Sequence, residues 1–302
     1  MRYVFILNPK AGKKNPFKKI FPKLKKICEQ NGIEYSYYIT ERAGHATEIA
    51  RAEAQKGDEV RIFACGGDGT LTETANGVIG FENAQLGCVP CGSGNDYIKS
   101  FENADFFDYE KNLLGEAKPV DAIKVGERCY ALNICSLGVD AMVAYRVVRF
   151  KRWPLVSGHM AYTLALLVTI LGKINRPFEV TIDGEKVYSG KLALALGASG
   201  QCYGGGYWGA KGAVNDDGLL DFVLIKKVSK PRLSSLLSVY KVGNHFTDPI
   251  IQKKYLIYKR GESMTISSKH KTVLNSDGEC FEVENVTFSV VPKAVNFVVP
   301  KA

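Results

Sequence analysis

Residues 61 to 70, Arg-Ile-Phe-Ala-Cys-Gly-Gly-Asp-Gly-Thr, limit the fold more than any other stretch of the chain. An apolar run ends in three glycines, an aspartate and a threonine, then passes into a segment with helical spacing. Val60 to Ala64 is short and apolar enough for a buried strand, and Thr70 to Asn76 carries the capping chemistry of a helix start. Lacking Cβ atoms, Gly66, Gly67 and Gly69 are expected to take positive φ angles and to turn backbone N–H groups toward an anion. The following helix aims its partial positive end at the same point. Such a turn also serves as a plain structural connection. Asp68 argues for more, because a carboxylate beside phosphate calls for a cation, and Mg²⁺ is the natural one.

The surrounding pattern extends this unit. Tyr3 to Leu7 reads as a buried strand, followed by Asn8-Pro-Lys-Ala-Gly12 and a lysine-rich segment with Phe17, Ile20, Phe21, Leu24 and Ile27 at helical spacing. Ile33 to Thr40 gives a second strand, Gly44 to Ala52 a helix, and Gln85 to Pro90 a fourth strand after the glycine turn. Alternation of this kind predicts a parallel sheet flanked by helices, with ligands at the carboxyl ends of the strands. Those ends carry Asn8 to Gly12, Thr40, the glycine turn and Gly92-Ser-Gly-Asn-Asp96. No P-loop sequence occurs, and no Gly-x-Gly-x-x-Gly opens the first helix, which argues against P-loop enzymes and dinucleotide oxidoreductases.

Taken in order, Asn8-Pro-Lys-Ala-Gly-Lys13, Gly66-Gly-Asp-Gly-Thr70, Glu73 with Asn76-Gly77, and Pro90-Cys-Gly-Ser-Gly-Asn-Asp96 resemble the motifs of the bacterial diacylglycerol kinase-like lipid kinases. These belong to the superfamily of diacylglycerol, sphingosine and NAD kinases. The resemblance implies an NAD kinase-like α/β N-terminal domain and a β-rich, sandwich-like C-terminal domain. It further implies that Asn8, Pro9, Lys10, Ala11, Gly12, Thr40, Gly66, Gly67, Asp68, Gly69, Thr70, Leu71, Thr72, Glu73, Ser93, Asn95 and Asp96 form the ATP site. Asp68 and Asp96 would join an interdomain network that orders Mg²⁺. Two departures are Thr72-Glu73, where the family often has Asn-Glu, and Tyr97-Ile98, where Phe-Ala is common.

After Asp121 the pattern changes to strands and short turns, which places a domain boundary near residues 122 and 123, with a last strand near 295–300 returning to the first domain as the family suggests. His159 to Leu171 is one long apolar run, too short to span a bilayer comfortably and expected as a buried helix. Asp277-Gly278 is a hairpin signal in its own right. In the resembled family, this Asp-Gly-Glu supplies the catalytic base, here Asp277. The family also holds a structural Mg²⁺, which here would take the Asp217 carboxylate and the carbonyls of Val214 and Leu219; Asp216 is the adjacent alternative.

At 302 residues the chain can bury roughly three quarters of its unfolded surface without disulfides. Its eight cysteines are scattered, and together with Met1 running straight into a strand they suggest a reducing cytosol. Cys88-Val-Pro-Cys91 has metal or redox spacing, but no second pair completes a zinc site. The formal net charge of +9 concerns partners. Lys10, Lys13, Lys14, Lys18, Lys19, Lys23, Lys25 and Lys26 stand without one intervening acid, which suits either solvent or an anionic membrane surface. No nucleic-acid motif accompanies them. The expectation is therefore a cytoplasmic, peripherally membrane-associated lipid kinase using ATP and Mg²⁺, turning diacylglycerol into phosphatidic acid. An NAD kinase, a catalytically silent nucleotide-binding regulator and a homodimer stay open.

Overall fold

The computed structural model describes residues 1–12, 16–150, 153 and 158–301. Lys13 and Lys14 of the basic stretch lie outside the described residues. The chain forms two compact units, one of Met1–Ala122, Tyr130–Leu132 and Val291–Ala302, the other of Ile123–Cys129 and Asn133–Val290.

The first unit alternates strand and helix: β1 (Arg2–Leu7), α1 (Pro16–Lys19), α2 (Phe21–Gln30), β2 (Tyr35–Ile39), α3 (His45–Ala54), β3 (Val60–Gly66), α4 (Asp68–Val78), β4 (Ala84–Pro90), α5 (Tyr109–Leu113) and β5 (Glu116–Val125). The sheet is parallel in the order β4, β3, β1, β2. All seven residues of β3 are buried, as expected of a parallel strand covered on both faces. One face packs Ile62, Leu71 and Ala46 with α3 and α4; the other packs Phe5, Phe63 and Leu24 with α2. The last stretch of chain adds a further parallel strand, with Asn296 beside Gln85 and Phe297 beside Leu86. Asp121 fixes that return by accepting the Lys293 N–H at 2.8 Å.

The second unit follows β6 (Cys129–Ala131) with β7 (Ile134–Gly138), α6 (Val139–Phe150), α7 (Gly158–Leu171), β8 (Arg176–Ile182), β9 (Glu185–Ala198), β10 (Leu220–Lys226), α8 (Lys230–Lys241), α9 (Pro249–Lys254), β11 (Leu256–Gly261), β12 (Ser263–Ser276) and β13 (Glu279–Val299). Its strands pair antiparallel in the order β11, β10, β9, β7, β12, β13, with β8 joined to β9 and β12. The α/β-then-β-rich architecture read from the sequence is the one observed.

Two elements differ from expectation. After Tyr255, where the sequence pattern predicts a run of short strands, one short strand, β11, is followed by two long ones, because β12 continues through a register shift between Ser267 and Thr272. A bulge lets one strand bend while its pairing continues. The apolar run of α7 is not fully buried either. Ala161, Ala165 and Thr169 face inward, while Met160, Leu167, Val168 and Leu171 are exposed. Among the described residues no helix is long and apolar enough to cross a membrane.

Candidate active site

Three strand ends of the first unit converge on one polar pocket of about 210 Å³. Its lining includes Asn8 and Lys10 after β1, Thr40 after β2, and Thr70 and Glu73 on α4, all expected from the sequence. The side chains hold one another in place. Asn8 Nδ2 donates to Thr70 Oγ1 at 3.0 Å, while Asn8 Oδ1 accepts the Lys10 N–H at 3.0 Å. Ala46 N–H donates to Glu73 Oε2 at 3.3 Å, and Thr47 Oγ1 to the Glu73 carbonyl at 2.7 Å. Glu41, Arg42, Ala43 and Ala46 complete the lining and escaped the sequence reading, although their position just past Thr40 places them at the same sheet edge.

The glycines work by close approach rather than by left-handed backbone. Gly66, Gly67 and Gly69 are absent from the positive-φ positions, and Gly67 is extended at φ −101° and ψ −169° as it caps α4. A Cβ on Gly66 would sit 2.3 Å from Thr70 Oγ1, and one on Gly92 would sit 2.6 Å from Gly67 Cα. The turn after β3 and the turn after β4 therefore lie back to back, tied by Cys91 and Gly92 N–H groups donating to the Gly66 carbonyl at 2.7 and 3.2 Å. Gly12 does have positive φ, at 67°, and a Cβ there would meet the Cys91 carbonyl at 2.1 Å. Gly69 has nothing within 4 Å of a built Cβ, so that side of the turn is open.

Asp68 begins α4, two residues earlier than the sequence suggested, and its carboxylate ties the two turns. Oδ1 accepts the N–H groups of Asp96 at 2.6 Å and Tyr97 at 3.2 Å. Burial, then the neighbouring Asp96 carboxylate, push the Asp68 carboxyl above its ordinary range. Asp96 is itself buried and accepts Lys99 Nζ at 2.5 Å. Gly94 is bare where the two acids meet: a Cβ there would lie 3.0 Å from Asp68 Oδ2 and 3.3 Å from Asp96 Oδ2.

The remaining expected residues divide by environment. Leu71 is 2% exposed and belongs to the core. Pro9, Ala11 and Thr72 stay close to the site in sequence without lining the pocket. Asn95 bonds within its own turn, accepting the Gly92 N–H at 3.0 Å and donating to its carbonyl at 3.1 Å, and Ser93 is exposed at the tip. All eight cysteines are free, and burial pushes Cys91 up to about 12, which suits packing rather than thiolate chemistry.

In the second unit Asp277 and Gly278 form the two-residue turn between β12 and β13, at φ 47° and 97°. Positive φ at both positions is the hairpin geometry that Asp-Gly favours. The same aspartate is clamped to β7: its Oδ1 accepts the Ile134 N–H at 2.8 Å, its Oδ2 accepts the Asn133 N–H at 3.3 Å, and its own N–H donates to the Ile134 carbonyl at 3.2 Å. Two residues back along the strand, Asn275 lines an apolar cavity of about 140 Å³. Roughly ten water molecules' minimum space would fit there. Val143, Leu166, Leu194 and Leu236 supply apolar wall, and one polar corner holds Asp140, Tyr203 and Tyr240. Tyr203 OH donates to Asp140 Oδ2 at 2.8 Å and lies 3.1 Å from Tyr240 OH. Burial pushes the Asp140 carboxyl upward. Helix α8, which supplies Leu236 and Tyr240, was missed, although Ser229 caps it and Leu233, Leu236, Leu237 and Tyr240 repeat at helical spacing.

The expected structural metal position holds Asp217, Val214 and Leu219. Arg260 donates to Asp217 Oδ2, and Asp217 Oδ1 accepts the Leu219 N–H at 3.1 Å, while Val214 is exposed. Among the described residues no group of three or more His, Cys, Asp or Glu side chains gathers as metal ligands.

The pattern that defines the diacylglycerol kinase catalytic domain matches residues 2–125, and that of the YegS C-terminal NAD kinase beta sandwich-like domain matches residues 133–299. The chain belongs to the bacterial diacylglycerol kinase-like lipid-kinase family. It is similar to a diacylglycerol kinase of Bacillus subtilis (strain 168), 27% identical over 300 residues, covering 98% of this chain and 95% of the relative. It is also similar to a probable lipid kinase YegS-like protein of Shewanella frigidimarina, 27% identical over 80% of this chain and 76% of the relative. The crystal structure of a putative diacylglycerol kinase from Bacillus anthracis superposes with a TM-score of 0.74 at 22% identity, over 99% of this chain and 96% of that one, a likeness of fold.

Proposed function

We propose that this chain transfers the γ-phosphoryl group of ATP to the hydroxyl of a membrane lipid, with diacylglycerol as acceptor and phosphatidic acid as product. The observation that carries the reading is the polar pocket built by Asn8, Lys10, Thr40, Thr70 and Glu73 beside a seam of side-chain-free backbone. Bare backbone at a helix start suits phosphate, and the named relatives supply the reaction class.

Asp68 and Asp96 would hold Mg²⁺. Their facing oxygens share a space that a Cβ at Gly94 would fill, and Mg²⁺ characteristically takes one or two carboxylates together with phosphate and water. When bound, the ion neutralises charge on the phosphates. Asn8 and Thr70, hydrogen-bonded to each other, would orient the phosphate chain. Asp277, locked by β7 backbone donors, would accept the proton of the lipid hydroxyl as its oxygen bonds to phosphorus. The apolar cavity two residues away along β12 would receive an acyl chain, because its walls offer hydrocarbon and its polar corner is small.

The test is purified protein with labelled ATP, Mg²⁺ and a panel of diacylglycerol, ceramide, sphingoid base, undecaprenol and NAD. Label in phosphatidic acid supports the reading. Label in the dinucleotide would make the chain an NAD kinase, and ATP binding without transfer would make it a regulator.

A further inference from the structure

Asn133 is 5% exposed and touches three separate stretches of the second unit. Its backbone N–H donates to Asp277 Oδ2 at 3.3 Å, beside the Ile134 N–H that holds Oδ1. Its carbonyl accepts the N–H groups of Ser199 and Gly200 at 2.9 and 3.0 Å, where the chain leaves β9. Its side-chain Nδ2 donates to the buried Cys202 carbonyl at 2.8 Å.

The last of these contacts bears on the apolar cavity. The Cys202 carbonyl and the Tyr203 N–H belong to one planar peptide. Asn133 holds one edge of that plane, and the Tyr207 carbonyl accepts from the other at 2.9 Å. Tyr203 follows at once in the cavity wall, where its OH reaches Asp140 Oδ2 and Tyr240 OH. Beyond it come Gly204, Gly205 and Gly206, all at positive φ. Glycines supply no side chain to brace the wall from that side, so the Asn133 amide is the brace on the other.

One residue therefore joins the turn that carries Asp277 to the wall that carries Tyr203. A proton acceptor works only within hydrogen-bond reach of the hydroxyl it serves, and a misplacement of about 1 Å costs about 10²-fold in rate. The distance between base and bound acceptor is the quantity that Asn133 can set.

We propose that Asn133 is a positioning residue for phosphotransfer: its main chain holds Asp277, its side-chain amide holds the Cys202–Tyr203 peptide of the cavity wall, and together they fix the acceptor hydroxyl against the base. The role in phosphotransfer rests on the lipid-kinase reading; the bracing of Tyr203 does not.

The experiment uses Asn133→Ala, which keeps the backbone contacts to Asp277, Ser199 and Gly200 and deletes the amide. Asn175→Ala is the control, because the Asn175 side chain makes the same kind of tie, to the Val228 backbone at 2.8 and 3.0 Å, outside the cavity lining. Both are assayed below their melting transitions with labelled ATP, Mg²⁺ and diacylglycerol in detergent. Asn133→Ala is expected to lose at least about tenfold in kcat with the KM for ATP within about twofold of the parent, and Asn175→Ala to stay within about twofold in both. Tyr203→Phe completes a double-mutant cycle. Because both substitutions loosen the same wall, Asn133→Ala/Tyr203→Phe is expected to lose no more than about threefold beyond the worse single variant. An unchanged kcat in Asn133→Ala, an equal fall in Asn175→Ala, or losses that multiply in the double variant overturn the proposal.

Hydrogen exchange tests the brace without any acceptor. The amides of Tyr203, Gly206 and Tyr207, which bond within this turn, are expected to exchange at least about tenfold faster in Asn133→Ala and at the parental rate in Asn175→Ala. Unchanged exchange at all three in Asn133→Ala overturns the brace. If the parent phosphorylates no lipid while Asn133→Ala speeds this exchange, the kinase reading fails and the bracing of Tyr203 stands.

Discussion

Oδ1 of Asp68 accepts the backbone N–H of Asp96 at 2.6 Å, so the acid that starts α4 also fixes the turn after β4. The acid does two things at once. It holds two glycine turns together, and it places a second carboxylate near its own Oδ2. The arrangement costs stability when no cation is present and favours cation binding.

Asp68→Asn separates these effects. The folded pKa of Asp68 lies above its ordinary value, so the charged form is disfavoured in the fold. That penalty is absent at low pH and grows as pH rises past the ordinary carboxylate range of about 4. Asn keeps the Oδ1 acceptor and removes the charge. At neutral pH and without Mg²⁺ the variant is expected to melt a few degrees higher in a calorimetric scan. Its phosphotransfer should fall by about tenfold or more, with the Mg²⁺ dependence weakened.

The glycine seam gives a paired test. A Cβ at position 92 would strike Gly67 Cα, so Gly92→Ala is expected to cost about 1–3 kcal/mol in urea unfolding. Gly69 lies in the first turn of α4 with open space around it, so Gly69→Ala should leave stability equal or about 0.5–1 kcal/mol higher. If phosphate rests against that open backbone, Gly69→Ala still weakens ATP binding, read by isothermal calorimetry. Unaltered ATP affinity in a stable Gly69→Ala protein would place the phosphates elsewhere.

Filling the apolar cavity should act on the lipid alone. Ala193 is buried in its wall, and Ala193→Phe has space to enter. The expected result is a stability change below about 1.5 kcal/mol with at least about a tenfold loss of kcat/KM for long-chain acceptor and an unchanged KM for ATP. Equal effects on both substrates would argue against an acyl site there.

His245 makes the second unit sensitive to acid. It is 2% exposed, and burial pushes its pKa down to about 4 from 6.5, against the hydrogen bond to the Gly209 carbonyl. Between those values the unfolded chain binds a proton that the folded chain excludes, so stability rises with pH across that window and falls as pH drops through it. The contribution is about 3 kcal/mol at most. Urea unfolding across the window should show this slope, and His245→Gln should flatten it.

The first unit was more legible in the sequence than the second, for a physical reason. Parallel strands covered on both faces are written as unbroken apolar runs, and their ligand residues sit at strand ends, so Asn8, Thr40 and Thr70 could be placed beforehand. What the glycines do was not legible. Gly66 is small because the Thr70 side chain folds back over it, and Gly92 because the turn after β3 presses on it at Gly67, a fact of packing between segments 25 residues apart. Antiparallel strands with one open face give weaker patterns, and the cavity at Asp140, Tyr203 and Tyr240 is assembled from three separate elements without a short motif. The apolar run of α7 misled because composition alone cannot say which side of a helix is covered. Asp277 was legible as a hairpin turn, but its clamp to β7 was not, since the turn geometry delivers the carboxylate to a backbone more than 140 residues away.

The most direct test of the account is the turnover of Asp277→Asn with labelled ATP and diacylglycerol in anionic vesicles. Asn keeps one oxygen to accept the Ile134 N–H and cannot take the proton of an alcohol. The account expects kcat to fall by about 10²-fold or more while the KM for ATP stays within about twofold and the melting curve is close to the parent's. A folded Asp277→Asn enzyme that phosphorylates diacylglycerol at the parental rate would contradict it.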